Sequence, residues 1–87
     1  MANKRFAQRG KIPRIERGER LAELRKNRGY SQRDLAVIIG VNQPTVAHWE
    51  SGYTFPQIGN LKKLSELYGV SIVYIRTGHE DARRNSG

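Results

Sequence analysis

Residues 32–51 read QRDLAVIIGVNQPTVAHWES, and the placing of their apolar residues and glycine decides the fold. Ser31, just before them, with Asp34 three residues on, has the signature of a helix N-cap. The helix it opens, Gln32 to Ile39, carries Leu35, Ala36 and Ile39 at i, i+1 and i+4, which is one apolar face. Gly40 stops it. Asn42 caps the next helix, and Pro44 lies just inside its start, where proline costs least. That helix runs from about Gln43 to Glu50 with Val46 and Trp49 inward, and Ser51-Gly52 end it. Ala36 is small because the following helix crosses close over it. Gly40 allows the backbone angle that a turn of three or four residues demands.

Working outward, Leu21 and Leu24 followed by Gly29 predict a first helix from about Arg17 to Arg28. Leu61, Leu64 and Leu67 or Tyr68 form a fourth stripe, closed by Gly69. Ser71 opens a last short helix, Ile72 to Arg76, before Thr77-Gly78. No stretch alternates as a strand. The fold class is all-α: five short helices in one domain over residues 16–78.

Eighty-seven residues suffice for one core and not two. No apolar run approaches the 18 or so residues of a membrane span. The chain has no cysteine, hence no disulfide framework, thiolate cage or thiol nucleophile. His48 and His79 alone do not hold a structural metal, and no metal or cofactor is expected. The net charge of +8 points to a polyanionic partner. It is uneven: residues 1–20 hold seven Lys/Arg against Glu16 and Glu19, and residues 1–15 hold no acid. Phe6, Ile12 and Ile15 make no helical stripe, and Gly10 and Pro13 interrupt the segment. Residues 1–15 therefore read as a flexible basic arm rather than a transit peptide. Residues 79–87 read as a polar tail, which fits a free end or the start of a linker equally.

The joint spacing of residues 32–51 resembles the helix-turn-helix of the Cro and phage-repressor type. The likeness extends to LRKNRGYSQRDLA, GVNQPTVAHWESG and LKKLSELYGVSIVYIRTG, and covers about Arg17 to Gly78. The resemblance implies that the third helix reads bases in the major groove of double-stranded DNA while the second lies across the backbone. Gln43, Pro44, Thr45 and His48 would then reach base edges. The Gln43 amide suits bidentate pairing with adenine, while Pro44 and the Thr45 methyl suit a thymine methyl. In many relatives the residue matching Pro44 is polar, so one direct reader is missing here.

Phosphate contacts are expected from helix ends, with Gln32 first and Arg28, Tyr53, Thr54 and Asn60 after it. Lys62 and Lys63 read as ordinary surface charge, Ser31 as a cap and Trp49 as core. The resemblance also implies a buried ion pair between Arg25 and Glu50. It implies a homodimer through the fifth helix at Val73, Tyr74 and Arg76, on half-sites about 34 Å apart.

Three functions fit these residues. The leading one is a transcriptional regulator, a phage or bacterial repressor acting in the cytoplasm on an operator. The second is an antitoxin on the same fold, and the third a basic RNA-binding protein. Against the third, no aromatic pair is placed to stack unpaired bases. An enzyme is hard to build here, because no nucleophile has a base within reach.

Overall fold

The chain enters its first helix through a proline. In the computed structural model, which describes residues 12–79, α1 spans Pro13–Asn27. Ile12 is extended, and its carbonyl accepts from the Ile15 and Glu16 N–H groups, both at 3.0 Å. The expected start at Arg17 is therefore too late. Pro13, read as an interruption, occupies the first helical turn, where its missing N–H has no partner to lose. Arg14 and Ile15, assigned to the arm, are helical too. The rest of the arm, residues 1–11, and residues 80–87 of the tail lie outside the described residues.

Four more helices follow: α2 (Gln32–Ile39), α3 (Gln43–Ser51), α4 (Ile58–Tyr68) and α5 (Ile72–Thr77). No strand occurs among the described residues. Local chemistry sets most of the boundaries. Ser31 accepts from the Asp34 N–H at 2.9 Å, and the Asp34 carboxylate accepts from the Ser31 N–H at 2.9 Å, a reciprocal capping box. That bonding holds the Asp34 carboxyl below the usual carboxylate range. Asn42 caps α3 by accepting from the Thr45 N–H at 3.0 Å, and Ser71 caps α5 by accepting from the Tyr74 N–H at 2.9 Å. Gly40 ends α2 at φ 92°, a left-handed angle that a side chain would strain.

One core joins all five helices. Leu21 comes from α1; Leu35, Ala36 and Ile39 from α2; Val46 and Trp49 from α3; Leu61, Leu64 and Tyr68 from α4; and Ile75 from α5. Val46, Leu61, Leu64 and Ile75 are completely enclosed. Each such side chain contributes roughly 1.5–3 kcal/mol relative to exposure. Trp49 is in this core and is not a stacking platform.

The α1 and α3 helices approach closely, and the contact is made by backbone. A Cβ on Gly18 would stand 2.4 Å from the Glu50 carbonyl oxygen and 2.8 Å from that of Trp49. A Cβ on Gly52, which has φ 87°, would stand 2.9 Å from the Arg14 carbonyl oxygen. The α3 helix is thus seated on α1 at both its last turn and its C-cap.

Cations fasten the other helix ends, where unpaired carbonyls carry partial negative charge. Arg20 donates to the carbonyls of Ile75 and Arg76, both at 3.1 Å, tying α5 to α1. Lys63 donates to the Ile39 carbonyl at 3.1 Å, so it is not merely surface charge but closes the end of α2. Arg17 lies 4.6 Å from the centre of the Phe55 ring and holds the α3–α4 loop against α1.

Candidate nucleic-acid interface

The end of α3 buried against α1 and the end exposed at its N-terminus are joined by a chain of polar side chains. Arg25 on α1 donates from Nε to Glu50 Oε2 at 2.7 Å and from Nη2 to Glu50 Oε1 at 3.0 Å, a bidentate pair. Its third arm, Nη1, donates to the Tyr30 carbonyl at 2.7 Å. The two charged side chains are only 10% and 8% exposed. The Glu50 hydrogen bond outweighs burial and raises the Arg25 pKa above its ordinary value, so the guanidinium stays charged.

Glu50 Oε1 also accepts from Gln32 Nε2 at 3.0 Å. Gln32 Oε1 in turn accepts from Gln43 Nε2 at 2.9 Å. The relay Arg25–Glu50–Gln32–Gln43 runs from the core to the solvent-facing start of α3. An amide nitrogen carries two hydrogens. Gln43 therefore keeps one N–H and its carbonyl oxygen free, the donor–acceptor pair that matches adenine. Gln32 keeps one N–H free at the N-terminus of α2, where an anion is favoured.

The remaining residues on α3 divide by face. Gln43, Pro44 and His48 are exposed, while Thr45 is half-buried. The Thr45 hydroxyl donates to Asn42 Oδ1 at 2.6 Å, which leaves its methyl and the acceptor side of its oxygen for an outside partner. After α3, Tyr53 and Thr54 are exposed and Asn60 is half-buried. Arg28 is exposed, but its Nη2 donates to the Tyr68 carbonyl at 3.2 Å, at the end of α4. On α5, Val73 is 42% exposed, Arg76 is exposed and Tyr74 is half-buried.

Sequence reasoning treated Gln32 and Gln43 as independent, and the structure bonds them to each other. No local pattern announces a pair of glutamines eleven residues apart on different helices. The Gly18 seat was also missed, although a glycine inside a helical stretch is a signal of close approach. Beside the ion pair, the Tyr68 hydroxyl is buried without a hydrogen-bond partner among the described residues. Burial, with the Glu50 carboxylate adding to it, pushes the Tyr68 phenol up to about 12.

A five-helix domain with two helices joined by a glycine turn, the second presenting polar side chains outward, is a helix-turn-helix domain. The chain belongs to the helix-turn-helix family, whose model matches residues 21–75. It is 34% identical over 68 residues to the HTH-type transcriptional regulator ImmR of Bacillus subtilis, covering 78% of this chain and 54% of ImmR. It is 36% identical over 61 residues to the uncharacterized SPbeta prophage-derived HTH-type transcriptional regulator YonR of the same species, covering 70% and 56%. With the HTH-type transcriptional regulator DicA of Escherichia coli the identity is 38% over 64 residues, covering 74% and 47%. The chain thus spans about half the length of these curated relatives. No solved structure matches. Among the described residues, no helix is long and apolar enough to cross a membrane, and no three His, Cys, Asp or Glu residues are grouped to hold a metal ion.

Proposed function

We propose that this chain is a sequence-specific regulator of transcription that binds a palindromic DNA operator as a two-fold dimer and represses by occupying it. The observation that carries this reading is the relay ending at Gln43. A glutamine exposed for no purpose would be free to rotate, whereas this one is held by Gln32 with an adenine-matching pair of atoms left open. Three relatives described as HTH-type transcriptional regulators support it. Base reading falls to Gln43, Pro44, the Thr45 methyl and His48 on α3. Phosphate contact falls to Gln32, Thr54 and Asn60. Arg28 serves the α4 terminus first. The dimer forms across α5, where Val73 presents an apolar surface beside Tyr74 and Arg76.

Several cations in the described residues already serve the fold: Arg17, Arg20, Arg25, Arg28 and Lys63 all have internal partners. Much of the charge available to DNA therefore lies in residues 1–11, which hold four Lys/Arg. Arg14, three residues beyond that segment, is seated beside Gly52 at the C-cap of α3.

Selection of bound duplexes from a random pool tests the proposal. A palindromic consensus with half-sites one turn apart is the expected result, and no enrichment would overturn it. On that consensus, Gln43→Ala should cost roughly 1–3 kcal/mol per half-site at one base pair. Deleting residues 1–11 should flatten the salt dependence by up to about 0.9 in logarithmic slope per lost phosphate contact.

A further inference from the structure

The C-terminal end of α3 closes mainly on one carbonyl. The His48 oxygen accepts from the Tyr53 N–H at 3.0 Å, the Thr54 N–H at 3.2 Å and the Ser51 hydroxyl at 3.1 Å. With Gly52 in the left-handed region, this closure brings residue 53 back beside residue 48. Their rings meet edge to face, with centroids 5.0 Å apart and planes at 62°. Tyr53 is 77% exposed, so core packing does not account for an aromatic ring at this position.

We propose that Tyr53 is a positioning residue for base reading. Its ring holds the His48 imidazole at a fixed tilt and so sets how strictly the second turn of α3 discriminates bases. This rests on the operator reading above. The terminal torsion of a histidine is broad and two-fold, so a lone exposed imidazole spreads its donor and acceptor over many directions. A hydrogen bond to a base edge needs one direction. A ring pair of this geometry biases the population by roughly two- to tenfold. The role differs from the phosphate contact first assigned to Tyr53. A phosphate contact strengthens every sequence alike, whereas positioning acts at one base pair.

The experiment uses the full chain and a panel of operators with single base changes. His48→Ala first identifies the base pair that His48 reads. Tyr53→Ala should then lower discrimination at that same pair two- to tenfold and leave the other positions unchanged. Tyr53→Phe, which keeps the ring, should retain wild-type discrimination. In a His48→Ala background, Tyr53→Ala should have no further effect on discrimination. In the free protein, Tyr53→Ala should remove the ring-current shift of the His48 ring protons, and Tyr53→Phe should keep it. Uniform weakening by Tyr53→Ala across the panel, or its loss of discrimination persisting without His48, overturns the proposal. A wild-type chain that prefers no duplex while the ring-current shift is present overturns the operator reading itself, and positioning with it.

Discussion

Replacing Arg25 by methionine tests the joint between the fold and the interface. The substitution keeps much of the aliphatic bulk but removes both bonds to Glu50 and the bond to the Tyr30 carbonyl. Glu50 is then left as a carboxylate with an 8% exposed side chain, its named remaining partner being the Gln32 amide. Removing one member of a buried pair costs about 3–5 kcal/mol, because the other charge is stranded. A domain of this size has a total stability of roughly 4–13 kcal/mol, from about 0.05–0.15 kcal/mol per residue. Arg25→Met should therefore lower the urea midpoint by roughly a quarter or more. The companion double variant, Arg25→Met with Glu50→Leu, removes both charges and should recover much of the loss. Urea unfolding followed by helical circular dichroism reads Arg25→Met, Glu50→Leu and the double variant. An Arg25→Met protein that unfolds with the wild-type midpoint would refute the reasoning. So would a double variant whose loss equals the sum of the two single ones.

Further expectations concern neighbouring sites. Tyr68→Phe removes a hydroxyl buried without a partner among the described residues, so thermal unfolding should show stability unchanged or raised; a loss above about 1 kcal/mol would contradict this. The folded pKa of Tyr68 lies above the ordinary value of 10, so its contribution is full below pH 10 and is lost as pH rises toward about 12. The wild type should weaken over that window by roughly 2–3 kcal/mol more than Tyr68→Phe, and parallel alkaline profiles would count against burial as the cause. Gly18→Ala drives a Cβ into the Glu50 carbonyl and should destabilise by at least about 1–3 kcal/mol, as measured by denaturant unfolding. If the proposed dimer forms across α5, Val73→Asp should leave helical circular dichroism intact while sedimentation shows a monomer at concentrations where the wild type self-associates; an unaltered dimer places the contact elsewhere. Gln32→Ala should flatten discrimination at the base pair read by Gln43, besides weakening binding overall, and a purely uniform loss would show that the amide relay does not orient the reader.

The sequence announces its helix ends more clearly than its side-chain partners. Ser31 with Asp34, Asn42 with Pro44, and Ser71 each act within three or four residues, and their caps are where the local pattern puts them. The start of α1 was misread because one proline serves two roles, breaking a helix from inside and opening one from its first turn. The α1–α3 seat at Gly18 has no apolar periodicity to betray it, since the contact is made by an absent side chain. Arg25 and Glu50 came from family likeness, because a pair twenty-five residues apart leaves no periodic trace. The Gln32–Gln43 and His48–Tyr53 contacts depend on how helices and turns are placed in space, which pattern reasoning does not supply. Arg28 reads in sequence as a phosphate contact and Lys63 as surface charge, yet each is engaged by a carbonyl at a distant helix end.

The relay that begins at Arg25 and surfaces at Gln43 makes the two ends of α3 unequal for anyone retargeting the domain. At Pro44 and His48 a new side chain can be installed without disturbing the Arg25–Glu50 relay, so altered operator preference there comes at small thermodynamic risk. At Gln43 the exchange leaves the Gln32 amide oxygen without its donor, and because the same amide bonds Glu50 the disturbance reaches the ion pair beneath. Libraries aimed at new specificities should therefore yield well-folded members in abundance from the second turn. Those that randomise position 43 should succeed mainly when position 32 is varied with it.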